Sequence, residues 1–164
     1  MSEKITVVDS EDNIITCKNR DKLTPEDFYR VSALWIENSE GEILLARRSS
    51  DKRRDAGKWG PAVAGTVAEG ESYEENIRRE AREELGLKDV NFKDGPKVRI
   101  MEKQNHFVKW FRFKLDRSAG KFEIQDEEVQ EVKWFSKGEL KKLVENNSEK
   151  FIYTMDRWVD LLIE

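Results

Sequence analysis

The chain has 164 residues, 30 Lys and Arg against 34 Asp and Glu, a net charge of −4 and 10% aromatic residues. That length suits one domain with its own core, and the aromatic content excludes a disordered chain. With Cys17 and His106 the only residues of their types, an internal disulfide and a Cys/His zinc site are both excluded, so a bound metal would fall to oxygen ligands, the chemistry of Mg²⁺ or Mn²⁺.

The pattern along the chain predicts an α/β protein. Ile5–Val8 and Ile14–Cys17 read as two short strands around the polar turn Asp9–Asn13, an N-terminal β-hairpin extension over about residues 1–28 of a single domain, 1–164. Val31–Glu37 and Glu42–Arg48 form a second hairpin around Asn38–Gly41. A charged loop, Ser49–Lys58, leads into Trp59–Val67, where Pro61 implies an edge or irregular stretch. Ser72 and Glu75 form a capping box that opens a helix over Tyr73–Leu85, and Gly86 closes it. Tyr73, Ile77, Ala81 and Leu85 give that helix its buried stripe. Val98–Met101, Phe107–Leu115 and Val129–Phe135 read as further strands. Ser136 with Glu139 caps a helix to about Val144, and Ser148 opens a last one with Phe151, Met155, Trp158 and Leu162 on its apolar face. Strands interleaved with helices suggest a mixed sheet between helical layers, an α/β/α sandwich.

The charge is concentrated. Between Glu69 and Glu84 lie seven acids and three bases, which sum to −4, while the remaining chain holds 27 of each. Glu80, Glu83 and Glu84 fall on one helix face at i, i+3, i+4, and Glu84 borders the buried stripe. Like charges so placed repel, and a divalent cation held by oxygen ligands would offset the repulsion. The glycine-containing segment Gly65–Glu71 precedes the helix and permits close backbone approach to a phosphate or metal. Arg79 is placed to pair with Glu71.

Gly65, Glu71, Arg79, Glu80, Glu83, Glu84 and Gly86, with Ala81 and Leu87 at the apolar positions, resemble the Nudix box, G-x5-E-x7-R-E-U-x-E-E-x-G-U. The resemblance implies a Nudix-type fold and metal-dependent attack of water on a diphosphate linkage. By position, Glu80, Glu83 and Glu84, with the main-chain carbonyl of Ala64, would hold Mg²⁺ or Mn²⁺. Gly65, Glu71, Arg79 and Gly86 would be structural. The general base is left open between a box glutamate (Glu83 or Glu84) and one of Glu127 and Glu128 before the last strand. The implied substrate is a nucleoside diphosphate or a derivative of one.

Val7-Val8-Asp9, the run Leu44–Ser49 and Lys58-Trp59 also resemble the isopentenyl-diphosphate-isomerase-like branch of the superfamily. The isomerase cysteine and histidine positions fall on Ala64 and Thr66, so hydrolysis is the expectation. An isomerase-like protein and a non-catalytic nucleotide-binding module are the alternatives. Arg47, Arg48, Arg53 and Arg54 flank the loop before the box, and Arg47 and Arg53 are singled out for substrate phosphates. Trp59 is a candidate for stacking. No long basic run supports a nucleic-acid partner, and no apolar run approaches the ~18 residues of a membrane span. The N-terminal residues lack the pattern of a signal peptide, which gives a cytoplasmic expectation. Oligomeric state is open.

Overall fold

The computed structural model describes residues 2–116 and 121–164. Among the described residues nine strands form one mixed sheet: β1 (Lys4–Val8), β2 (Ile14–Asn19), β3 (Phe28–Glu37), β4 (Ile43–Arg48), β5 (Trp59–Pro61), β6 (Val63–Thr66), β7 (Lys93–Ile100), β8 (His106–Lys114) and β9 (Val129–Phe135). The helices are α1 (Tyr73–Leu85), α2 (Lys137–Asn146) and α3 (Met155–Leu162). None of the described helices is long and apolar enough to cross a membrane.

β3 is the spine. Along one edge it pairs in turn with β1 (Val8↔Phe28), β6 (Ala33↔Ala64) and β4 (Ile36↔Leu44), all antiparallel. Along the other it runs parallel to β8 from Tyr29↔His106 to Glu37↔Lys114. Because successive side chains alternate between faces, β3 feeds two cores. Leu34 and Ile36 pack with Ile77, Ala81 and Leu85 of α1, while Ala33 and Trp35 pack with Leu140, Val144, Trp158 and Leu162 of α2 and α3. The result is the expected three-layer arrangement, with helices on both faces of the sheet. Burying Ile77 or Leu85 contributes about 2 kcal/mol each and fixes which face of α1 meets the sheet.

α1 has both halves of its capping box: the Ser72 hydroxyl accepts from the Glu75 amide, and the Glu75 carboxylate accepts from the Ser72 amide at 2.8 Å. Gly86 ends the helix in the left-handed region at φ 68°, where a side chain would be strained. The predicted strand Trp59–Val67 divides at Ala62. Its first part pairs with β4 and its second with β3. The predicted last helix starts later than Ser148. Residues Ser148–Lys150 make a 3-10 turn, Phe151 bridges to Trp59, and the Ile152 amide donates to the Trp59 carbonyl, so α3 begins only at Met155.

The N-terminal hairpin is built into the sheet. Beyond its pairing with β3, the Glu69 amide donates to the Lys4 carbonyl at 2.9 Å and the Thr6 hydroxyl to the Ala68 carbonyl at 3.1 Å. At the hairpin tip, the Asp12 carboxylate accepts from Arg30 (2.7 Å), Lys97 (2.7 Å) and the Tyr73 hydroxyl (3.0 Å). These contacts hold β1 beside the segment that enters α1.

Candidate active site

The spacing of three glutamates on α1 puts them where the helix meets β6. Glu84 is buried, at 8% exposure. Its carboxylate accepts a hydrogen bond from the Ala64 amide. Burial pushes the Glu84 carboxyl well above its ordinary range, and the neighbouring carboxylates of Glu80 and Glu128 push it further. Burial also dominates at Glu80. The Arg79 charge opposes the rise and Glu83, Glu3 and Glu128 add to it, leaving the group pushed up to about 7.

Arg79 organises the acids around it. It donates to Glu71 from both Nε (2.5 Å) and Nη2 (3.1 Å), lies 3.1 Å from Glu80, and donates to Glu83 at 2.9 Å. Glu71 also accepts from the Ala68 amide and the Asn76 side chain. Burial raises its pKa, but these donors, Arg79 foremost, outweigh it and hold the carboxyl down at about 2. The loop, the helix and the hairpin are thus tied at one arginine. Gly65 is the close approach: a Cβ there would overlap the carboxyl group of Glu80.

The strand β9 arrives with a fourth carboxylate. The amides of Glu123 and Gln125 donate to the Leu85 and Glu84 carbonyls, each at 3.1 Å, and so satisfy the C-terminal end of α1. The Ser49 amide takes the Glu128 carbonyl at 3.0 Å. This stitching sets Glu128 across from Glu84, with its Oε2 paired to Lys52 at 2.5 Å. Glu127 is exposed and lies outside the cavity lining.

A cavity of about 470 Å³ opens over these groups. Its lining includes Glu80, Glu83, Glu84, Ala64, Gly65, Arg79 and Glu128, so most of the residues singled out in the sequence converge. Three substrate candidates fall elsewhere. Strand alternation turns Arg48 to the cavity, on the face of Leu44 and Ala46. Arg47 takes the opposite side and donates to the Gly57 carbonyl and to Glu131. Trp59 packs edge-on against Phe135 at 5.3 Å, in the core beneath α2 and α3. Arg53 does not line the cavity. Cys17 and His106 are absent from the lining as well, so the groups an isomerase would use are not here.

Sequence reasoning missed Glu3, Arg20 and Lys52. Arg20 and Glu3 pair at 3.1 Å and line the cavity from the N-terminal hairpin. No local pattern marks them, since only the pairing of β1 with the loop before α1 brings them in. Arg48 was recoverable from alternation.

The donor set suits a hard divalent cation. All groups are oxygens, and two of the acids, Glu84 and Glu80, are nearly enclosed, while Glu128 and Glu83 are 37% and 48% exposed. Two buried carboxylates side by side, with Arg79 shared among four acids, form a site short of positive charge. Among the described residues no three acidic side chains converge to coordination spacing, and Arg79 pairs with both Glu80 and Glu83.

A three-layer α/β fold with a glycine-bordered carboxylate cluster on its first helix is the arrangement that the comparisons with known proteins then place in a family. The NUDIX domain family matches residues 28–155, and the chain belongs to that family, a hydrolase of the Nudix type. An uncharacterized Nudix hydrolase of Yersinia pestis is 28% identical over 158 residues, which covers 96% of this chain and 86% of that one. The uncharacterized Nudix hydrolase YfcD of Escherichia coli is 29% identical over 140 residues, 85% of this chain and 77% of its own length. Among solved structures, DR0079 of Deinococcus radiodurans superposes with a TM-score of 0.84 at 23% identity, covering 96% and 98% of the two chains. That likeness confirms the fold. Nudix hydrolases generally use divalent cations and act on small nucleotide-derived substrates.

Proposed function

We propose that this protein is a Mg²⁺-dependent pyrophosphohydrolase, with Mn²⁺ as a substitute, that cleaves the diphosphate linkage of a nucleoside diphosphate or its derivative by attack of water. The observation that carries this reading is the enclosed pair Glu80 and Glu84 near Glu128, in one cavity with the cations Arg20, Arg48 and Lys52. Carboxylates able to hold a cation and basic side chains in the same cavity fit a diphosphate, which needs cations on both sides.

Glu80, Glu83 and Glu84, with the Ala64 carbonyl, would hold the metal. When bound it would neutralise charge that builds on the diphosphate oxygens and lower the pKa of a bound water. Arg79 keeps Glu80 and Glu83 on the cavity side of α1. Arg48 and Lys52 bind the phosphate oxygens that point away from the acidic floor, and Arg20 reaches them from the hairpin. Glu128 is our choice for general base. Lys52 occupies its Oε2, which fixes the carboxylate and leaves Oε1 to take a proton from water.

The test is a panel of nucleoside diphosphates, nucleoside triphosphates, nucleotide sugars and dinucleotides, assayed with Mg²⁺ or Mn²⁺ for release of nucleotide and phosphate. The reading expects at least one substrate to be cleaved at the anhydride, with loss of turnover in EDTA. Binding of nucleotides without cleavage of any of them would point instead to a non-catalytic module.

A further inference from the structure

Five acids are among the residues lining the catalytic cavity, and the hydrolysis proposed above uses four of them: Glu80, Glu83, Glu84 and Glu128. The fifth is Glu3, and the N-terminal hairpin fixes its place. The ladder between β1 and β2 runs from Lys4↔Asn19, and one step beyond it the Arg20 amide donates to the Glu3 carbonyl at 2.9 Å. Glu3 and Arg20 therefore face each other across the open end of the hairpin. The Glu69 amide, donating to the Lys4 carbonyl, ties that end to the loop before α1.

Both side chains reach the cavity. Glu3 Oε2 accepts from Arg20 Nη2 at 3.1 Å, while Glu3 Oε1 lies 4.0 Å from Arg79 Nη2. Arg79 is engaged more closely by Glu71, Glu80 and Glu83, all within 3.1 Å, so the charge that Glu3 chiefly neutralises is Arg20. The other cations of the cavity are occupied differently. Lys52 carries Glu128, which has its own part in the reaction, and Arg48 donates to the Arg54 carbonyl. The Arg20 and Glu3 side chains are 54% and 43% exposed, and an ion pair so exposed is weak. A phosphate offers a guanidinium a bidentate, charge-assisted contact, which is stronger.

We propose that Glu3 is an internal competitor for the substrate phosphate: its carboxylate occupies Arg20 in the empty cavity and gives way when a phosphate arrives. The proposal rests on the hydrolytic reading for the placing of phosphate at Arg20. Glu3 then sets how tightly the cavity takes phosphate, because apparent affinity falls with the fraction of Arg20 that is already occupied. It touches no reacting atom, so its effect belongs to binding and not to the chemical step.

The probe is methylenediphosphonate, a diphosphate analogue that water does not cleave, titrated calorimetrically into the full chain with Mg²⁺. Glu3→Gln keeps the size of the side chain and removes its charge. Affinity should rise about fivefold, the scale of an exposed ion pair, and KM for a panel substrate should fall by the same factor with kcat unchanged. In the background Arg20→Ala the same substitution should change affinity less than about twofold, since the two residues act as a pair. Weaker binding in Glu3→Gln would make Glu3 a support for Arg20 and overturn the proposal. A fivefold gain that persists without Arg20 would also overturn it. Cleavage of a panel substrate, with unchanged affinity in Glu3→Gln, would overturn the competition and leave the hydrolytic reading standing. The expected changes in affinity, with no substrate cleaved, would do the reverse.

Discussion

Gly65 lies flat against the carboxyl group of Glu80, with no space for a side chain between them. The contact joins strand β6 to helix α1 at the centre of the acidic site. The Gly65 backbone is not in the left-handed region, so alanine meets no strain from φ. The obstacle is the Glu80 side chain, which can move. Gly65→Ala should therefore fold, with the Glu80 carboxyl displaced. Turnover should fall by about 100-fold, because a misplacement of about 1 Å is enough for that. Steady-state kinetics together with a thermal melt check the pairing of lost activity and retained fold.

Glu71 is held near a pKa of 2, against an ordinary 4.5, by Arg79, Asn76 and the Ala68 amide, which together outweigh the effect of burial. The folded state therefore binds this proton less readily than the unfolded state. The stability so gained is fully present above about pH 4.5 and disappears as the pH falls toward 2. Solvent screening limits it to about 1–2 kcal/mol. Glu71→Gln should lower the melting temperature at pH 7 by several degrees. The gap between the two proteins should close progressively as the pH is lowered from 5, measured by differential scanning calorimetry.

Glu84 is costly where it is. A carboxylate that is 8% exposed beside Glu80 and Glu128 destabilises the metal-free protein. Glu84→Gln keeps the side-chain size and the acceptor for the Ala64 amide while removing the charge. The metal-free variant should be more stable than the parent by about 1 kcal/mol at pH 8. Its turnover should fall at least about 1,000-fold. Denaturant unfolding in EDTA and steady-state assays with Mg²⁺ separate these opposite effects. A variant both less stable and fully active would contradict the assignment.

Arg20 reaches the cavity from the hairpin with its side chain 54% exposed and paired to Glu3. If it binds a phosphate oxygen equally in ground and transition states, Arg20→Ala raises KM by about fivefold and leaves kcat unchanged. The same substitution at Arg47, which faces the other side of the sheet, should alter neither constant. Saturation curves for the two variants on one substrate decide this.

Much of this was legible because it is local. The capping box at Ser72 and Glu75, the glycine at position 86, the pairing of Glu71 with Arg79 and the face shared by Glu80, Glu83 and Glu84 all follow from spacing along about twenty residues. What the sequence did not disclose depends on long-range register. Trp59 is core because α3 starts late and Phe151 returns to it. Glu3 and Arg20 enter through the pairing of β1 with the loop before α1. Glu127 and Glu128 were indistinguishable in sequence, and only the amides that cap α1 set Glu128 toward Glu84.

The most direct measurement is hydrolysis of the best panel substrate in H₂¹⁸O, with Mg²⁺ and again in EDTA, for the parent and for Glu84→Gln. Products are read by mass spectrometry. The account predicts one ¹⁸O in one of the two phosphate-bearing products, formed only with the metal and only by the parent. Cleavage that proceeds equally in EDTA, or at an equal rate in Glu84→Gln, would contradict it.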